Sequence, residues 1–486
     1  PSRREVLKQA GIILPSDMQT PLFPYQSYLK EFSLNSFEKM VLLWYNKSQV
    51  LDLGLKLPDK DYRKNGMNRQ ELLSSNFEIL MAELSQLIFN SACLKLIDFS
   101  GTAPLPRFQS FSRFNFIGEN VTSLSMRTLH TLNLNPMYKE MTKNQLVELL
   151  RSMETSFNKI ECLDIRHFYN HVPEFVSLLK AQGNLQRLSL RYSKIVNPIF
   201  RVLSTMAPTT LTWLGLDMIH LGLKPLMLLT TCQNLRTLVL VNCLCRPITE
   251  VFPSEDVPVN QFVNLRKLHI IEESKYPHNL RTDLKEIFQM TSRSLREFTM
   301  DVACNQQIRG LLLSMIEFSP MITFLAVHAS QEDIMFQEFY EWLKMSKLES
   351  LILKLGGNNV GAFIKYLGVY FPDSLVHFDL ESLITPIQLS NFLNKCNQVN
   401  FKRIGLNDMR GINDEHLHIL MKYAEYFGSL EIVEYDRWAA KDVNMLGCVR
   451  KVIPSRFNDE KLKKAGRFIR VIRRDESDPF RNPMNF

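Results

Sequence analysis

Leu185-Gln-Arg-Leu188-Ser-Leu190 is followed by Leu211-Thr-Trp-Leu214-Gly-Leu216 and then by Leu235-Arg-Thr-Leu238-Val-Leu240. The same hexad, apolar at its first, fourth and sixth positions, stands at residues 160–165, 265–270, 295–300, 322–327, 348–353, 375–380 and 401–406, making ten clear copies. Residues 430–435 are a worn eleventh, and looser copies precede the series at 94–99, 121–126 and 129–134. From residue 160 to residue 430, successive starts lie 24 to 30 residues apart. A single hexad means little; eleven near one period define a repeat array in which each unit cannot bury its apolar face alone and must stack on its neighbours.

Between hexads, residues 172–182, 198–206, 283–291, 308–318, 337–345, 362–371 and 415–427 carry apolar side chains at helical spacing. Each unit is therefore predicted to be one strand and one returning helix. This resembles the leucine-rich repeat, and the resemblance implies an α/β solenoid with parallel strands on a concave face and helices on a convex face. A mostly helical N-terminal region is expected before it. The ninth position, usually Asn or Cys in such repeats, is here filled by residues such as Phe168, Ile219, Glu273 and Leu383, and only Cys243 fits. That departure points to a degenerate, helix-rich variety. The expected organisation is an adaptor or capping region with early degenerate repeats over 1–120, the repeat array over 121–440, and a cap with a basic tail over 441–486.

The chain has 486 residues, 58 of them Lys or Arg and 50 Asp or Glu, with 45% hydrophobic residues. It is too long for one core and too apolar for a disordered chain. Ten of the basic residues and only two acidic ones fall between Arg450 and Arg474, leaving 48 of each sign elsewhere. The body thus exerts no long-range pull on nucleic acid or anionic lipid, and any such partner is expected to meet the basic tail alone. That tail is read as a basic helix over 457–474, either an electrostatic arm or a cap whose apolar residues close the array; the cap is favoured. No membrane span or signal peptide is legible, and the eight scattered cysteines fit thiols in a reducing compartment, so an intracellular location, cytoplasmic or nuclear, is expected.

Ahead of the repeats, residues 3–10 read as the end of a helix stopped by Gly11, and residues 70–89 as a longer amphipathic helix. Leu7-Lys-Gln-Ala-Gly-Ile-Ile-Leu-Pro15, followed by Pro21-Leu-Phe-Pro-Tyr-Gln-Ser-Tyr28, is similar to the segment that follows the F-box in a large fungal family of F-box-like leucine-rich repeat proteins. The resemblance implies the substrate-recognition subunit of an SCF-type ubiquitin ligase, which presents a target protein on its concave face. It also implies a Skp1-type adaptor bound through an F-box, which is not legible after Pro1 and is expected upstream of it. A stand-alone repeat scaffold or inhibitor remains open as an alternative, as does an RNA-associated repeat protein using the basic tail.

No catalytic, cofactor or metal site is expected. His167 and His171 have the spacing of two metal ligands on a helix face, but Pro173 follows closely and no third ligand accompanies them. His416 and His418 are read as surface residues, and Cys243-Leu-Cys245 as containing one core thiol. Gly356-Gly-Asn-Asn-Val-Gly361 lacks the Lys-Ser/Thr of a phosphate loop. Strand alternation sends the fourth and sixth positions inward and the third, fifth and seventh outward. On that outward face Arg166, Arg187 and Arg191 lie beside Trp213. Val239, Val241 and Ile271 form an adjoining apolar stretch, and Phe324, His328 and Lys354 a second candidate group. Arg, Trp and exposed aliphatics are the residue types of protein interfaces.

Overall fold

A computed structural model of the chain describes residues 30–33, 94–98, 123–126, 158–166, 172–191, 197–221, 223–245, 261–272, 284–291, 293–302, 305–356, 360–382, 384–406, 414–435 and 470–473, with scattered positions in 36–41 and 147–155. The chain forms two compact units, Pro1–Trp213 and Leu214–Phe486.

In the first unit the strands β1 (Glu31–Ser33), β2 (Leu96–Asp98), β3 (Ser123–Met126), β4 (Cys162–Arg166) and β5 (Arg187–Arg191) pair in parallel and in chain order. Among the described residues of this unit, the helices α1 (Val172–Lys180) and α2 (Asn197–Met206) pack against each other. β6 (Trp213–Asp217) begins on the unit's last residue.

The second unit adds β7 (His220–Leu221), β8 (Thr237–Val241), β9 (Leu244–Cys245), β10 (Lys267–Ile271), β11 (Glu297–Asp301), β12 (Phe324–Ser330) and β13 (Ser350–Gly356). They are followed by β14 (His377–Glu381), β15 (Arg403–Leu406), β16 (Ile432–Tyr435) and β17 (Arg470–Arg473). From β8 to β17 the main sheet again runs parallel in chain order, while β7 and β9 pair separately. Its helices are α3 (Leu223–Leu229), α4 (Leu284–Thr291), α5 (Asn305–Phe318), α6 (Gln331–Ile334), α7 (Gln337–Met345), α8 (Val360–Leu367), α9 (Pro386–Lys395) and α10 (Asp414–Phe427).

All ten clear hexads thus hold strands, as does the worn eleventh. The fourth-position Leu188, Leu238 and Leu351 have no exposed surface. Register makes this collective: Leu238 stands beside Leu268, which stands beside Phe298, so each repeat adds the same apolar row to a shared core. Helical aromatics complete that core. Phe288 of α4 meets Phe298 edge-on at 5.1 Å, and Phe392 of α9 lies 5.1 Å from Phe378.

Local chemistry sets the helix ends. Thr385 caps α9 in a reciprocal capping box with Gln388, with Pro386 in the first turn where its missing N–H costs nothing. Ser330, a ninth-position residue, caps α6 with Asp333 in the same way. Gly428 ends α10 at φ 66°, its N–H donating to Ala424 O at 2.8 Å. Met218 and Asn242, immediately after β6 and β8, take positive φ of 52° and 49° and turn the chain toward β7 and β9. There Cys243 acts as the ninth-position residue, its thiol donating to Leu216 O of the preceding repeat at 3.3 Å.

Two expectations need correction. Residues 470–473 are not helical: they form β17, which extends the ladder by pairing with β16, Val471 beside Val433. The open backbone edge of a terminal strand is satisfied by another strand. His416 is not on the surface but 1% exposed, its Nε2 2.6 Å from Ile384 O, while His418 is exposed. The expected helices over 3–10 and 70–89, the segments at 7–15 and 21–28, His167 and His171, and residues 450–469 of the basic tail lie outside the described residues.

Candidate protein-binding face

In the described hexad strands of each unit, one face carries the apolar core beneath the helices; the opposite face carries the third, fifth and seventh positions in three rows. The fifth row, expected to be outward and accessible, is buried apart from half-buried Asp164. Ser189, Val239, His269, Thr299, Ala326, Ile352 and Asp379 are between 0 and 7% exposed. Strands stand only about 4.8 Å apart. A side chain in the middle of a five-residue strand is therefore flanked by its counterparts on both neighbours and by the longer third and seventh residues of its own strand. The accessible side chains of this face belong to the third and seventh positions, on either side of the sealed central row, and at Trp213, Asp217, Val241 and Ile271 these positions are sealed as well.

Four candidate residues lie together in the first unit. Arg187 is half-buried, and its guanidinium carbon sits 5.1 Å from the Trp213 ring centroid. Trp213 is 8% exposed. Arg191 reaches Asp164 of β4 at 3.9 Å, and Arg166 stands in register with Arg191. Half-exposed Cys162, in register with Arg187, has its thiol pKa raised, first by burial, against the lowering effect of the Arg187 charge.

In the second unit, Val239, Val241 and Ile271 do not form an exposed apolar stretch. They are 0, 5 and 5% exposed. Val241 and Ile271 stand side by side in register and both are buried, so strand alternation states their direction correctly but not their accessibility. Phe324, His328 and Lys354 fare differently, all being half-buried. Phe324 rests on Ala326 and Ile352 of the sealed row. His328 Nδ1 pairs with Asp301 Oδ1, and Lys354 Nζ lies 3.8 Å from Asp301 Oδ2, so one carboxylate bridges two groups on successive strands. On the third row Lys267 pairs with Glu297 at 2.7 Å, and Ser350 Oγ lies 2.7 Å from His377 Nδ1.

Asp301, Glu297 and His377 were not singled out as site residues, yet they tie this face together. Their signal was available in part, since complementary residues at the same repeat position sit side by side once the register is fixed. Asp379 is a further surprise. Its carboxyl is completely buried, and it fills the space above Gly405, where a built Cβ would lie 2.6 Å from Asp379 Cγ.

Buried thiols complete the picture. Cys243 has no exposed surface, and burial drives the Cys232 thiol up to about 11. No group of three or more metal-ligating side chains occurs among the described residues, and among them no helix is long and apolar enough to cross a membrane.

No family model matches the chain, and no curated protein does. Among solved structures, the yeast Rad7 and Elc1 complex aligns over 83% of this chain and 89% of that one, at 12% identity and a TM-score of 0.32. The mouse RP105/MD-1 complex aligns over 71% of this chain and 51% of that one, at 15% identity and a TM-score of 0.35. Both likenesses are too slight to assign a family.

Proposed function

We propose that this chain is a non-catalytic protein-binding module that holds a target protein on the open face of its parallel sheet. In the fuller form of this reading it is the substrate-recognition subunit of an SCF-type ubiquitin ligase inside the cell. The observation that supports target binding is the construction of that face. Where its third and seventh positions are accessible, they rest on a sealed row and are fixed by cross-strand pairs such as Lys267–Glu297 and Asp301–His328. A platform whose side chains are already held loses little conformational entropy when a partner docks. The ligase connection rests on the sequence resemblance at residues 7–15 and 21–28, with the adaptor held by an F-box upstream of Leu7. Such a subunit acts by raising the target's effective concentration beside partner enzymes.

The test is co-purification with a Skp1-type adaptor. A chain extended upstream to include the expected F-box should retain the adaptor, and residues 1–486 alone should not. Failure of the extended chain would favour the stand-alone scaffold, and tight adaptor binding by residues 1–486 would show that the adaptor site was misplaced.

A further inference from the structure

Arg187 is the unusual residue of the first unit. Every other cation pair described on the open face has a carboxylate in it, whereas Arg187 is held by an aromatic ring. Among the described residues its guanidinium joins no ion pair and donates no hydrogen bond. A guanidinium lying on a ring keeps its in-plane N–H groups available at the edge of the fork, the geometry that meets a carboxylate through two parallel hydrogen bonds. Stacking also fixes the side chain before any partner arrives, so little rotamer freedom is left to lose.

Two further observations point the same way. Trp213, more than nine-tenths buried under Arg187, has an indole Nε1 with no hydrogen-bond partner, an uncommon condition for a buried Trp. Strands β4 and β5 together carry Arg166, Arg187 and Arg191 against the single acid Asp164, so these two strands have a net positive charge although the residues outside the basic tail are balanced as a whole. Arg191 is already turned toward Asp164, whereas Arg187 is a donor available to a newcomer.

We propose that Arg187, pre-organised on Trp213, is the anchor for an acidic segment of the target protein and binds a glutamate or aspartate carboxylate bidentately. This rests on the reading of the chain as a target-binding module and names the chemistry of the target it selects.

The experiment measures fluorescence polarisation of a labelled glutamate-rich peptide against the whole chain, the Arg187→Gln variant and the Arg187→Lys variant. Arg187→Lys retains the charge but loses the planar fork, so it separates bidentate recognition from general attraction to the basic tail. Both variants should weaken binding about ten- to a hundredfold, the value of one charge-assisted contact. The glutamine version of the peptide should not bind. Since Arg187 is half-exposed, circular dichroism should show both variants folded. Undetectable binding to the native chain, native-like binding by Arg187→Lys, or binding only of a phosphoserine version would each overturn the proposal. Arg187-dependent peptide binding, with no adaptor binding by the upstream-extended chain, would keep this site and remove the ligase role. The reverse result would keep the ligase role and remove the acidic anchor.

Discussion

His269 should make this protein less stable as the pH falls. Its ring sits in the sealed row of β10, in register with Val239 on one side and Thr299 on the other, and is 7% exposed. Burial, with a smaller contribution from the Lys267 charge, lowers its pKa from 6.5 to about 4. The facing groups cannot rescue the imidazolium: β8 offers Thr237, Val239 and Val241, while on β11 Glu297 is engaged by Lys267 and Asp301 by His328 and Lys354. In the unfolded chain the ring protonates below 6.5, but in the folded chain only near 4, so the unfolded state binds more protons throughout that window. Stability due to the neutral ring is complete above pH 6.5 and is lost as pH falls toward 4. At about 1.4 kcal/mol per pH unit, the loss approaches about 3 kcal/mol. With an m-value of about 2 kcal/mol/M, that is about 1.5 M in urea midpoint. Urea unfolding should be followed across this pH range for the native chain and for His269→Gln, which cannot titrate. Other groups contribute equally to both proteins, so the difference between the two profiles isolates the histidine. Profiles that run parallel from pH 6.5 to 4 would refute the reasoning.

Leu238→Ala removes a side chain with no exposed surface from the centre of the shared row, and should cost about 2 to 5 kcal/mol in denaturant unfolding. Gly405→Ala forces a methyl group to within 2.6 Å of the buried Asp379 carboxyl and should cost about 1 to 3 kcal/mol, whereas Gly183→Ala, with nothing within 4 Å, should change little. Equal effects of the two glycine substitutions in the same assay would contradict the packing described for Asp379. Truncation after residue 465 removes β17 and uncovers the edge of β16, so the thermal midpoint should fall; an unchanged midpoint would show that β17 does not cap the array.

The repeat period and the buried fourth position were legible because they depend on local sequence. Leu238 is buried because a strand must hide one face, and α7 spans residues 337–345, as its apolar spacing predicts. Alternation also stated correctly that Val239, Val241 and Ile271 leave the core face. It could not state whether they reach solvent, because that depends on residues from the next repeat, about 30 positions away in sequence and one strand spacing away in space. The same limit hid His416, whose partner Ile384 O belongs to the preceding repeat, and the Ser350–His377 contact. Residues 470–473 were misread as helix because their charges dominate the local pattern, while their pairing is decided by the open edge of β16. The sequence by itself determined which face each side chain takes, since that follows from backbone geometry within one strand. Only the tertiary structure decided which of those side chains remain available to a partner, since accessibility is fixed by the register and bulk of neighbouring repeats.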